Sequence, residues 1–149
     1  MDAYRLSPDD AAEVAALFAR SRAAGLPWLP VLHTPEEDVA YFAAQLRDHV
    51  GLGVAADGVG PGLRGFAVVR PGWLDHLYVD ADCRGGGIGS ALLDAARTAS
   101  PGELHLWVFA RNTRALAFYA RHGAVEVERT DGRDNEEHEP DVRLVLPAR

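Results

Sequence analysis

The sequence predicts an α/β fold, a mixed sheet with helices on both faces, and three observations lead there. Helix-start signals recur at Ser7-Pro8-Asp9-Asp10 and at Thr34-Pro35-Glu36-Glu37. Short apolar runs of strand character, such as Phe66-Ala67-Val68-Val69 and Leu104-His105-Leu106-Trp107-Val108-Phe109, are interleaved with helical stretches. A glycine-rich turn, Arg84-Gly85-Gly86-Gly87-Ile88-Gly89, separates a strand-like run at 74–79 from a helix-like run at 90–97.

Tyr4-Arg5-Leu6 reads as the first strand. Ser7 then caps a helix with Pro8 at its first position and Asp10 at the capping-box position. Ala12, Val14, Ala15, Leu17 and Phe18 carry its apolar face towards Arg20, and Gly25 ends it. Residues 26–32 form a proline-broken apolar loop. The second helix runs from Thr34 to about His49 and buries Val39, Phe42, Ala43 and Leu46. Val54-Ala55-Ala56 and 66–69 read as two strands joined by a glycine-rich hairpin connection over 57–65. Arg70-Pro71-Gly72 turns the chain into a strand at 73–79. After the glycine turn and third helix come a strand at 104–109 and a fourth helix, from Arg114 to about His122, stopped by Gly123. Strands at 125–128 and 142–146 close the chain. The order is β-α-α-β-β-β-α-β-α-β-β. A doubly wound dinucleotide fold would instead place its glycine loop after the first strand, with an acidic ribose partner about 20 residues on.

At 149 residues the chain is expected to form one domain, 1–149, long enough to bury a substantial core. The formal charge of -7 argues against nucleic acid as the main partner and favours a cationic one. No apolar stretch approaches the ~20 residues of a membrane span, and the N-terminus lacks the form of a signal peptide, so a cytoplasmic protein is expected. The single cysteine, Cys83, excludes an intrachain disulfide. The histidines and Cys83 show no zinc-ligand spacing, and no metal is expected.

A glycine turn between strand and helix leaves backbone N–H groups uncovered and directs them, with the helix dipole, at one point suited to phosphate. On spacing alone the stretch is equally an ordinary tight turn. A second pattern shifts that balance. Arg84-x-x-Gly87-x-Gly89 after one strand and Asn112-x-x-Ala115-x-x-Phe118-Tyr119-x-x-x-Gly123 after the next together resemble the GCN5-related N-acetyltransferases. The resemblance is close over 73–127 and looser over the rest of the chain.

That resemblance implies a mostly antiparallel sheet with two splayed parallel central strands, 74–79 and 104–109, holding acetyl-CoA in the gap between them. Backbone groups of Leu77, Tyr78 and Val79 would face the pantetheine arm, those at Leu77 and Val79 being left unpaired by a strand. Arg84, Gly85, Gly86, Gly87, Ile88, Gly89 and Ser90 would hold the pyrophosphate, and Asn112 would contact the arm. Tyr119 is the implied general acid for the departing thiolate, since a phenol stays protonated at neutral pH. A backbone amide at Leu77 or Tyr78 would hold the developing oxyanion.

The proton acceptor is less defined. Asp75 is the first choice, acting directly or through water; alternation along the strand groups it with Trp73, Leu77 and Val79 and turns His76 to the opposite face unless a bulge intervenes. His33 and His105 are weaker choices. On the acceptor side, Trp28 is either a wall of the site or a core residue. Trp107 stands where some relatives that acetylate protein N-termini carry a glutamate. The acidic stretch containing Glu136 and Glu137 is either a solvated hairpin loop or a segment leaning over the acceptor. The implied activity is acetyl transfer to a primary amine, small or peptidic, in a ternary complex; relatives are often dimers, so the resemblance leaves a homodimer open. A catalytically silent acyl-CoA sensor is the rival.

Overall fold

Both capping signals operate as the sequence indicates. Ser7 N donates to the Asp10 carboxylate at 2.8 Å, and a 3-10 turn over Pro8–Asp10 leads directly into α1 (Ala11–Gly25). Thr34 N donates to Glu37 Oε1 at 2.8 Å while Glu37 N donates to Thr34 Oγ1 at 3.1 Å, which starts α2 (Pro35–Asp48). The structure, a computed structural model, describes residues 2–56 and 62–149. The remaining elements are β1 (Tyr4–Arg5), β2 (Val50–Ala55), β3 (Leu63–Arg70), β4 (Trp73–Val79), α3 (Ile88–Ala99), β5 (Leu104–Phe109), α4 (Thr113–Arg121), β6 (Val125–Thr130) and β7 (Asp141–Leu146). Their order is the one read from the sequence. Part of the hairpin connection expected at 57–65, residues 57–61, lies outside the described residues.

β2 starts four residues earlier than expected. The run Val50-Gly51-Leu52-Gly53 looks like a poor strand because of its glycines, yet it pairs with β3 throughout. A Cβ on Gly51 would lie 2.2 Å from Leu46 Cδ2, so glycine is what lets α2 seat its apolar stripe on the sheet.

The sheet has seven strands in the order β1-β2-β3-β4-β5-β7-β6. All neighbours are antiparallel except β4 and β5, which are parallel and share one registered pair, Trp73 with His105. Beyond Trp73 the two strands separate. Helices cover both faces. Val14, Leu17, Phe42 and Leu46 of α1 and α2 pack on Phe66 and Val68. Leu92, Leu93 and Ala96 of α3 and Tyr119 of α4 pack on Leu104, Leu106, Leu144 and Leu146. Each fully buried Phe or Leu contributes roughly 1.5–3 kcal/mol of hydrophobic stabilisation.

One irregularity positions the site. β3 and β4 pair Val68 with His76 but Val69 with Leu74, so Asp75 is an extra residue on β4. The bulge breaks the simple alternation expected from the sequence: Leu74, rather than Asp75, joins Leu77 and Val79 in the core on the α3 side. Asp75 and His76 both border one cavity at the open edge of β4, as do Leu77 and Tyr78.

Candidate functional site

Two cavities open on the gap between β4 and β5. The larger, about 690 Å³, runs from the C-terminal end of α1 past Leu77, Tyr78 and Val79 to the start of α3. The smaller, about 270 Å³, lies between β4, β5 and the β6–β7 loop. Leu26, Leu77, Tyr78, Asn112, Ala115 and Tyr119 border both, so the two are halves of one channel.

The larger cavity is built to receive an anion. Gly85 and Gly87 adopt φ of +85° and +87°, conformations that side chains rarely take. Gly87 caps α3, and Ala91 N is bonded to its carbonyl at 3.0 Å. The amides of Ile88, Gly89 and Ser90 belong to the first turn and have no intrahelical acceptor. Arg84, Arg114 and Arg121 line the same space, and no carboxylate does so among the described residues. Burial, and after it the neighbouring Arg114 charge, hold the Arg84 guanidinium below its usual range. These groups fit a pyrophosphate on the helix start, as the sequence suggests for Arg84, Gly85, Gly87, Ile88, Gly89 and Ser90. Gly86 is not part of the lining.

Beyond Trp73 the edge of β4 facing β5 has no strand partner, as expected for Leu77 and Val79. One of those groups is already engaged: Ser21 Oγ donates to Val79 O at 3.0 Å, and Arg84 donates to Ser21 Oγ at 3.5 Å. Ser21 is 3% exposed and carries no motif; it reaches the site only because α1 crosses the sheet there.

Asn112 caps α4 by accepting from Ala115 N at 3.2 Å through Oδ1, which leaves its amide nitrogen for the channel. Tyr119 is 6% exposed and belongs to the core, where α4 presents it between the two cavities. Its hydroxyl makes no hydrogen bond among the described residues, yet no side-chain oxygen among them is sealed from solvent without a partner. Burial raises its pKa well above the ordinary value for tyrosine, which keeps the hydroxyl protonated at neutral pH.

The smaller cavity gathers Asp75, Glu137 and Asp141 against one lining cation, Arg22. Asp75 Oδ2 accepts from Arg70 Nε at 2.7 Å. Asp141 accepts from Thr130 and, at 3.2 Å, from Asn135. Arg22 reaches from α1 to the Tyr78 hydroxyl at 3.2 Å and to Glu137 at 3.5 Å, with its guanidinium 4.6 Å from the Phe18 ring centre. Arg22 was missed by sequence reasoning, because a helical arginine carries no local signature; Asn135 and Asp141 belong to the acidic stretch that the sequence offered as a segment leaning over the acceptor. Trp107, 43% exposed, stands at the rim.

The β6–β7 loop leans over this cavity, and its acidity is largely taken up in holding it there. Glu136 pairs with His33, Glu137 with Arg22, and Glu139 with Arg111 at 3.1 Å. His33 and Glu136 therefore act as a latch outside the cavity lining. Trp28 also lies outside both cavities: it packs edge-on against Phe109 at 6.0 Å, with the Arg111 guanidinium 4.3 Å above it. His105 is likewise remote, engaged by Arg143 at 2.8 Å and by the Trp73 ring at 5.2 Å. Cys83 lines the larger cavity and accepts from Arg64 at 3.3 Å. Among the described residues no group of His, Cys, Asp and Glu is placed to hold a metal ion, and no helix is long and apolar enough to cross a membrane.

A sheet split at two parallel strands, with a glycine-capped helix start on one side of the split, is the fold of the GCN5-related N-acetyltransferases. Residues 38–123 match the sequence profile of the acetyltransferase (GNAT) domain, and the chain belongs to that family. It is 35% identical over 83 residues to the peptidyl-lysine N-acetyltransferase YjaB of Salmonella typhimurium; the matched region spans 56% of this chain and 57% of that protein. Its fold is similar to that of apo YjaB from Escherichia coli, with a TM-score of 0.78, 23% identity and coverage of 99% of this chain and 98% of the other. It is also similar to a GCN5-related N-acetyltransferase from Rhodopseudomonas palustris, with a TM-score of 0.77, 26% identity and coverage of 97% and 94%.

Proposed function

We propose that this chain transfers an acetyl group from acetyl-CoA to a primary alkylamine by direct attack within a ternary complex. The observation that carries the proposal is the shared border of the two cavities: Tyr119 and Asn112 touch both, so a thioester in one cavity meets an amine in the other. The amine nitrogen attacks the thioester carbon, and the carbonyl oxygen takes up negative charge beside the β4 amides at Leu77 or Tyr78. The C–S bond breaks and Tyr119 gives its proton to the thiolate. The proton lost by the acylated nitrogen balances that donation.

Pyrophosphate binding is assigned to the backbone of Gly85, Gly87 and Gly89 and to Ser90, with Arg84 and Arg114 supplying charge. Asp75, tied to Arg70, is assigned to hold the incoming ammonium. Asp75, Glu137 and Asp141 line the acceptor cavity; Arg70 and Arg22 match the first two, and the charge of Asp141, which has only Thr130 and Asn135 as partners, favours a cation there. A lysine side chain satisfies that chemistry, in keeping with the name of the Salmonella relative.

The test is thiol release from acetyl-CoA with a panel of lysine peptides, polyamines and free amino acids. Turnover on alkylamines with saturation in both substrates is expected. Tight acetyl-CoA binding without turnover on any amine would refute the proposal in favour of a silent acyl-CoA sensor.

A further inference from the structure

His76 has no role in the chemistry described so far, and its surroundings are unusual. It lines the acceptor cavity beside Asp75, on the β4 face that it shares with Tyr78. Phe18, Phe42, Tyr41 and Tyr78 surround the ring at centroid distances of 5.2–6.3 Å. Nε2 lies 2.8 Å from the Tyr41 hydroxyl. Nδ1 makes no hydrogen bond among the described residues, and no buried side-chain nitrogen among them lacks a partner, so Nδ1 is not sealed off from solvent. Tyr41, on α2, is 46% exposed. A chain of two side chains thus links the acceptor cavity to the protein surface.

We infer that His76 is the catalytic base that takes the proton from the incoming ammonium, and that Tyr41 relays it to solvent. The inference rests on the acetyl-transfer reading above. With Nε2–H donating to Tyr41, Nδ1 presents its lone pair to the ammonium. The N–H bond of the ammonium breaks as Nδ1–H forms. Nε2 then passes its proton to Tyr41 Oη, which releases its own to water. The free amine remains, and one proton has left the protein.

Burial holds His76 neutral, with a pKa of about 4; Asp75 works against that shift and Arg22 with it. Burial, then Asp75 and Tyr78, raise the Tyr41 pKa, while Arg22 and Arg70 oppose them. Tyr41 therefore stays protonated and serves as a relay. A weakly basic imidazole does not retain the proton. Transfer from an alkylammonium is about six pK units uphill, which still permits on the order of 10⁶ events per second, well above ordinary turnover.

The experiment compares two acceptors at about pH 7: an alkylamine, which arrives charged, and an arylamine, which arrives neutral and has no proton to export. His76→Gln removes the base, and Tyr41→Phe removes the relay hydroxyl while keeping its ring. Both variants are expected to lower kcat about tenfold or more on the alkylamine. The KM for acetyl-CoA and the kcat on the arylamine should stay near wild type. Raising the pH to about 10 should restore the alkylamine rate, because the amine then arrives neutral. Equal losses on both acceptors would show a packing defect and overturn the assignment, as would full activity of His76→Gln on the alkylamine. Absence of turnover by the wild type on either acceptor would instead overturn the acetyl-transfer reading itself, before any substitution is made.

Discussion

Acid titration of stability tests the surroundings of His76 without any assay of activity. Its folded-state pKa is depressed to about 4 from 6.5 by burial. The unfolded chain therefore takes up this proton first as the pH falls. The contribution is fully present above about pH 6.5, declines below it and is exhausted below about pH 4. Over the whole window the shift of about 2.5 units corresponds to roughly 3 kcal/mol. Between about pH 7.5 and pH 5 the wild type should lose about 2 kcal/mol through this one group. In a chain of this size that lowers Tm by roughly 4–8 °C. Urea unfolding of wild type and His76→Gln at both pH values isolates the effect, since the other five histidines are common to both. Loss of the Tyr41 contact lowers the variant's stability at both pH values, but its pH dependence should be shallower by about 2 kcal/mol. Parallel losses in the two proteins would show that the imidazole is not held neutral, and the reasoning would fail.

Tyr119→Phe removes only the hydroxyl from a buried ring; kcat should fall about 100-fold or more while the Kd for acetyl-CoA, read by calorimetry, stays within about threefold. Gly87→Ala places a Cβ at φ +87° in open space at the mouth of the cradle; a loss of about 1 kcal/mol in unfolding free energy and weaker acetyl-CoA binding are expected. Glu137→Ala releases the β6–β7 loop from Arg22; the amine KM should rise roughly fivefold with the acetyl-CoA KM unchanged, which steady-state kinetics would read directly.

What the sequence made legible is what short-range chemistry controls. The two capping boxes, the positive-φ glycines and the Asn112 cap act on residues within four positions, so spacing reveals them. β2 was truncated in the sequence reading because Gly51 serves α2, some tertiary distance away, and not its own strand. Asp75 was grouped with Leu77 and Val79 in place of Leu74 because a bulge arises from the pairing of two strands and leaves no mark in either one. Ser21 and Arg22 were invisible for a similar reason: only the crossing of α1 over the β4–β5 gap gives a mid-helix serine and arginine a place in the site. The β6–β7 loop lay between. Its acidity was plain, but the partners that hold it down, His33, Arg22 and Arg111, come from three other segments.

Net charge is the property that misleads most here. The chain carries -7, yet its larger cavity is lined by Arg84, Arg114 and Arg121 and by no carboxylate among the described residues. The smaller cavity, across Tyr119, has the opposite balance. A Debye length of about 8–10 Å at ordinary ionic strength means that a bound phosphate responds to these local groups more than to the distant surface. The two views predict opposite salt effects. If net charge governed binding, added salt would screen repulsion and lower the KM for the anionic acetyl-CoA. With the local field in control, the KM for acetyl-CoA should rise with salt, and so should that for a cationic amine, because both attractions are screened. Kinetics at about 0.01 M and about 0.5 M sodium chloride would decide it. A falling acetyl-CoA KM would mean that the arginines do not face the phosphates, and the assignment of the larger cavity to the donor would have to be abandoned.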